Sequence, residues 1–228
     1  MFSISSVMKL PDVLDELNWL SEVSEEQGVG VRLVGGLAVQ AYILASSGIK
    51  SKESQDVIKR VLLRNTNDID LDFYNLQGDT SNLESRVLES FLSFGELINS
   101  TFHKEETTKS VDGVRINYGT FLSNNPRSKR ELRFDYAIKT SEPEGNVLSV
   151  PYFKSKKQGK PCLIPVFVAP LSEILKDKLR RMEHRDIEDI RLLNKLYEVG
   201  RLNKYLINDV KARELFNSYS HNEVRTNV

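Results

Sequence analysis

Cysteine is almost missing from this chain: Cys162 is the single one among 228 residues. One thiol closes no internal disulfide and furnishes no cysteine-rich zinc site, a usage that suits a reducing compartment. Net charge is missing too, because 32 basic residues balance 32 acidic ones. Without it there is no global polyelectrolyte attraction to nucleic acid, and any such binding has to come from local patches. No apolar run reaches membrane-spanning length, and Met1 to Leu10 lacks the basic start and long apolar middle of a signal peptide. The expectation these absences leave is a soluble, cytoplasmic protein with no membrane partner, long enough for one core with a smaller helical appendage.

What is present alternates between helical and strand patterns. Val13, Leu14, Leu17 and Leu20 recur at helical spacing, with Gly28 as a stop. Val29 to Val34 reads as a short strand, Gly35-Gly36 breaks it, and residues 37–45 read as a buried helix. Val57, Ile58, Val61 and Leu62 predict another short helix. Past a turn at Gln77-Gly78-Asp79-Thr80, Ser81 and Glu84 suggest a capping box for a helix ending near Gly95. Strand patterns then cover 97–102, 114–122, 132–138, 147–153 and 163–168, and the basic stretch Lys154 to Lys160 reads as a solvated turn in preference to an RNA-phosphate contact. From Pro170 onward the pattern is helical, over 171–182, 185–199 and weaker segments, with a frayed polar end from Ser220. The expected division is an α/β core over 1–169 and a helical C-terminal region over 170–228.

The densest chemistry lies in Arg64-Asn65-Thr66-Asn67-Asp68-Ile69-Asp70-Leu71-Asp72-Phe73. On a strand, alternate side chains share a face, so Asp68, Asp70 and Asp72 point one way and Ile69, Leu71 and Phe73 the other. Three neighbouring carboxylates repel one another unless cations or donors compensate them, which asks for a metal such as magnesium or a basic partner. An EF-hand loop is set aside, since Phe73 stands where glycine is needed and Asp79 where glutamate is needed. Gly35-Gly36, between strand and helix, is either a plain tight turn or a phosphate cradle at a helix N-terminus. Together with Asp68 and Asp70 it makes a seat for a nucleoside triphosphate with Mg²⁺, which takes one or two carboxylates plus phosphate oxygens.

A second metal needs a further carboxylate. In Glu131-Leu132-Arg133-Phe134-Asp135-Tyr136-Ala137-Ile138 the apolar residues take one face and Asp135 the other, so Asp135 is either that ligand or a cross-strand salt-bridge partner. Lys178 falls mid-stripe on one C-terminal helix and Asp186 mid-stripe on the next, while Arg185 and Asp189 are spaced for a surface pair. Lys178 therefore meets β- and γ-phosphates, pairs with Asp186 and fixes the two helices, or does both.

Gly35-Gly36, Arg64-x-Thr66-x-Asp68-Ile69-Asp70-Leu71, Asp135, and Lys178-Leu179 with Arg185-Asp186-x-x-Asp189 form an ordered set that resembles the nucleotidyltransferase superfamily of the DNA polymerase β type. Within it the chain is similar to the AbiEii group of abortive-infection and toxin–antitoxin nucleotidyltransferases. The resemblance covers about residues 30 to 195, with a longer interval from Gly36 to Asp68 and a more compact final signature than usual. It implies an α+β fold, a nucleotidyltransferase-like mixed β-sheet flanked by helices with a helical C-terminal region. It also implies transfer of a nucleotide from an NTP to an acceptor hydroxyl, often an RNA end, and a cognate antitoxin as partner. Under it Asp68, Asp70 and Asp135 are catalytic and bind two Mg²⁺ ions, Mn²⁺ serving as a substitute, while Gly35, Gly36, Thr66 and Lys178 bind the nucleotide. The rival readings are a nucleotidyltransferase-like module that binds without turnover, and a phosphohydrolase with an aspartyl nucleophile, which would need neither Gly-Gly nor Asp135.

Overall fold

In the computed structural model, which describes residues 8–77, 81–105, 108–111, 113–125, 131–155 and 157–226, the acidic decapeptide leads into the middle of an eight-stranded mixed sheet. The chain runs α1 (Leu10–Glu26), β1 (Val29–Leu33), α2 (Gly35–Ser46), α3 (Lys52–Val61), β2 (Ile69–Asn75), α4 (Leu83–Leu97), β3 (Ser100–Lys104) and β4 (Lys109–Val111). It continues with β5 (Val114–Ser123), β6 (Glu131–Lys139), β7 (Asn146–Tyr152), β8 (Cys162–Val168), α5 (Leu171–Arg181), α6 (His184–Glu198), a 3₁₀ turn at Asn203–Tyr205, and α7 (Val210–Thr226). The strand order is β3-β5-β6-β2-β1-β8-β7, with β4 beside β5. β2 lies parallel to β6 and antiparallel to β1, and β8 meets β1 in parallel. The fold is α+β, a mixed sheet flanked by helices.

Alternation decides which face each residue takes. Ile69, Leu71 and Phe73 are fully or almost fully buried, on the face covered by α1 and α4, which pack side by side. There Phe91 of α4 touches the rings of Phe73, Phe102, Phe121, Phe134 and Tyr136, with centroids 4.5 to 5.7 Å apart. Edge-to-face and stacked pairs at that spacing add to the area each ring removes from water. On the other face α2 packs against β7, β8 and β2 and carries α5 and α6 behind it. It is buried from Gly36 to Leu44, which explains an apolar run without a polar face.

Several local expectations are corrected. α4 begins at Leu83 with Asn82 as a left-handed N-cap and no side-chain cap, so Ser81 and Glu84 do not form the capping box; part of the preceding turn, residues 78–80, lies outside the described residues. α4 also runs to Leu97, delaying the next strand to Ser100 and adding the short β4. α3 starts at Lys52 behind a Ser51 cap and turns Val57 and Val61 to solvent; its buried residue is Gln55, which exchanges hydrogen bonds with the Phe153 backbone. α7 continues to Thr226, past the point where fraying was expected. In the basic turn Lys154 is exposed and pairs with Asp15 at 2.9 Å, and Lys156 lies outside the described residues. No helix among the described residues is long and apolar enough to cross a membrane.

Because Phe91 joins α4 to four strands, Phe91→Ala should lower unfolding free energy by about 3–5 kcal/mol. Urea unfolding followed by fluorescence checks this, and a loss under about 1 kcal/mol would show that the cluster does not hold α4 to the sheet.

Candidate active site

The site begins with one register. Parallel pairing of β2 and β6 sets Asp70 beside Asp135, and antiparallel pairing of β6 and β5 sets Tyr118 beside Asp135, so all three share the face that turns away from α4. Asp68, at the approach to β2, completes the group: one carboxylate oxygen from each of Asp68, Asp70 and Asp135 lies within 4.8 Å of the others. The hydroxyl of Thr66 donates to Asp68 at 3.2 Å. Arg133 donates to Asp135 at 3.4 Å and lies over the Tyr118 ring.

Crowding and burial act together on these carboxyls. Burial is the main cause that pushes Asp70 up to about 7, the charges of Asp68 and Asp135 add to it, and Arg181 and the donated Gly36 backbone N–H oppose it. Asp135 is raised as well, first by burial and then by Asp68, against the pull of Arg133. Gly35 has a positive φ of 63°, and a Cβ there would run into the Asp70 carboxylate. A Cβ on Gly36 would meet the Arg64 guanidinium. The double glycine thus allows the start of α2 to approach the acid cluster and its neighbouring arginine, a stricter need than that of an ordinary tight turn.

Facing the acids is an open cleft of about 420 Å³, a volume within the range of nucleotide-sized ligands. Its cations are Arg64, Lys109, Arg180, Arg181 and Arg185, three of them from the end of α5 and the start of α6. A recess of about 360 Å³ adjoins it and shares Asp70, Asp72, Arg180 and Arg181. Two of the cleft arginines belong to a ladder of alternating charge. Arg64 Nε donates to Asp189 at 2.9 Å, Asp189 and Asp186 hold the Lys178 ammonium at 2.6 and 3.0 Å, and Asp186 accepts from Arg181 at 3.2 Å.

The expected residues divide accordingly. Asp68, Asp70, Asp135, Gly35, Gly36 and Thr66 lie together at the cleft and its rim. Lys178 is 1 % exposed and lies between its two acids, so of the two roles open to it the structure displays the helix-pairing one. Asp72 is withdrawn from the cluster: it is buried and accepts from Arg32 Nε at 3.1 Å, while Glu173 holds the same guanidinium at 2.8 Å. Asp189 is corrected from a surface pair to a buried link, and Arg185 pairs with Glu183 instead. Sequence reasoning missed Arg32, though a charge central in Val-Gly-Val-Arg-Leu was a signal of the kind that singled out Lys178. It also missed the cleft arginines of α5, which no periodicity distinguishes from solvated charges.

The donor set itself is a test for a metal. Three carboxylates, with no nitrogen or sulfur donor beside them among the described residues, suit a hard divalent cation such as Mg²⁺ or Mn²⁺, and their mutual repulsion is relieved by one. Asp68, Asp70 and Asp135 are the residues that would hold it.

No family model and no curated protein matches the chain. Among solved structures, JHP933 from Helicobacter pylori is 16% identical with a TM-score of 0.43, the match covering 93% of this chain and 81% of that one. A "putative nucleotidyltransferase from H. pylori" is 18% identical with a TM-score of 0.34, covering 79% of each chain. Similarity this low carries no inference about activity, which has to stand on the site.

Two outcomes are expected of the site. A carboxyl held near 7 in the fold and near 4 when unfolded keeps its proton longer in the folded state, so metal-free stability should fall as pH rises from about 4 to about 7. A cation must displace that proton, so Mn²⁺ affinity should climb by up to about tenfold per pH unit below 7 and level off above. Calorimetric titrations between pH 5.5 and 8 measure it, and a flat affinity would contradict the coupling. Separately, Lys178→Met leaves Asp186 and Asp189 buried without their shared cation and should cost about 3–5 kcal/mol in urea unfolding, against under about 1 for the exposed Lys176→Met.

Proposed function

We propose that this chain is a magnesium-dependent nucleotidyltransferase of nucleotidyltransferase-like fold that transfers a nucleotide from an NTP to an acceptor hydroxyl at an RNA end. The observation that carries the reading is the cross-strand placement of Asp70 beside Asp135, with Asp68 in reach, facing a nucleotide-sized cleft lined by arginines. The ordered motifs that resemble the AbiEii group support its finer parts: an RNA acceptor, the role of toxin in an AbiE-type toxin–antitoxin or phage-defence pair, an antitoxin partner, and a cytoplasmic setting.

In this reading the chain's own residues do four things. The N-terminus of α2, whose Gly36 N–H already holds Asp70, turns the rest of its dipole toward the triphosphate. Arg64 and Arg181, steadied by Asp189 and Asp186, face the charge that builds on the leaving pyrophosphate. Thr66 fixes Asp68. Asp135, whose carboxyl is raised, is placed to take the proton of the acceptor hydroxyl as its oxygen bonds to the α-phosphorus and the bond to the bridging oxygen breaks. Asp68, Asp70 and Asp135 would hold the magnesium, which would supply charge neutralisation of the phosphates and a lowered pKa at the acceptor hydroxyl. Lys178 acts by keeping its two acids, and through them the arginines, in place.

Purified protein incubated with each α-labelled NTP, Mg²⁺ and total RNA should label RNA, and Asp70→Asn should cut labelling on the order of a thousandfold or more without loss of fold. Undiminished labelling by Asp70→Asn would sink the assignment. Release of free phosphate without transfer would favour the hydrolase, and nucleotide binding without either product would favour the non-catalytic module.

A further inference from the structure

The far end of the sheet carries a feature that the cleft does not use. β7 is its last strand, and no backbone hydrogen bond among the described residues joins β7 to any segment other than β8. Such an edge is a template for another strand unless charge, proline or a cover blunts it. Asn146-Val147-Leu148-Ser149-Val150 contains no charged residue, and Pro151 follows only at its end. The opposite edge differs, for β3 carries His103 and Lys104.

The face of β7 beside this edge is also open to solvent, at Val147 and Ser149. α2 covers one side of the β7–β8 hairpin, where Leu148, Val150, Ile164, Val166 and Val168 are buried. On the other side the register aligns Val147 with Phe167, Ser149 with Pro165 and Pro151 with Leu163. Val147 is 68 % and Leu163 63 % exposed. A mostly apolar, uncharged patch continuous with an open strand edge is the make-up of a protein contact.

Charge around the strand selects the occupant. Exposed Glu142 and Glu144 precede β7, and exposed Lys154, which also holds Asp15 at 2.9 Å, Lys157 and Lys160 follow it. A second β7 running antiparallel, centred on Leu148, sets Val147 of each strand against Ser149 of the other and extends the line to bring Glu142 opposite Lys154. Acidic entry meets basic exit twice, once on each side of the two-fold axis, and no like charges face each other. A parallel arrangement would set acid against acid. We infer that β7 pairs antiparallel with β7 of a second copy of this chain, joining two sheets into one across a two-fold axis.

Light scattering coupled to size exclusion tests this on the full chain, independently of any activity. The expected result is twice the 26.1 kDa of one chain, falling to one chain in Val147→Lys, whose exposed position leaves the fold and its circular dichroism unchanged. Glu142→Lys should weaken association at least tenfold, and adding Lys154→Glu with Asp15→Asn, which removes the acid that Lys154 holds, should restore it. A single-chain mass for the unaltered protein across the accessible concentrations, a dimer untouched by Val147→Lys, or no recovery in the charge swap would overturn the inference.

Discussion

Three carboxylates gathered on two adjoining strands and the approach to one of them repel one another, and the surrounding fold is arranged to tolerate that repulsion without removing it. Asp70 shows the tension most clearly, since its carboxyl is driven to about 7 by burial and by Asp68 and Asp135. Had the acids only been structural, each could have received a buried guanidinium, as Asp72 does from Arg32 two residues along the same strand. Instead, Arg133 reaches Asp135 only at 3.4 Å, and the cations on the helix side of the cluster are tied to other acids. Arg64 is held by Asp189 and Arg181 by Asp186, with Lys178 between. The result is an acid cluster left short of compensation, which is what a binding site for a metal-bound phosphate requires.

The fold follows from that constraint. α2 can begin against Asp70 only because Gly35 and Gly36 have no side chains. The aromatic cluster around Phe91 fixes the opposite face of the same strands, so the register that pairs Asp70 with Asp135 cannot slip without turning Phe73 or Tyr136 out of the core. α5 and α6 serve as the cationic wall, and their attachment runs through the buried Lys178. Stability and site are thus joined at Lys178: a buried ion pair is costly to break and gives little net stability, but it sets where the guanidiniums stand.

Much of this was legible in the sequence because strand alternation is strict. The split of Ile69, Leu71 and Phe73 from Asp70, and of Phe134 and Tyr136 from Asp135, is written into a period of two. The parallel pairing of β2 with β6 was not, since Asp135 comes 65 positions after Asp70 and only tertiary packing chooses neighbours. Asp72 shared the acidic pattern but has another partner, because the antiparallel register with β1 brings Arg32 beside it. Asp189 and Arg185 had the spacing of a surface pair, yet the rotation of α6 buried one and exposed the other. Helix ends went astray where local backbone choice prevailed, as with the left-handed Asn82 that begins α4.

The central claim is that Asp68, Asp70 and Asp135 jointly hold a divalent cation with a triphosphate, and diffraction at the manganese absorption edge tests it most directly. Crystals grown with Mn²⁺ and a non-hydrolysable NTP analogue should show an anomalous peak among these three carboxylates, with the phosphates against Gly35-Gly36 and the arginine wall. A peak elsewhere, or a bound analogue with no manganese at this cluster, would contradict the account.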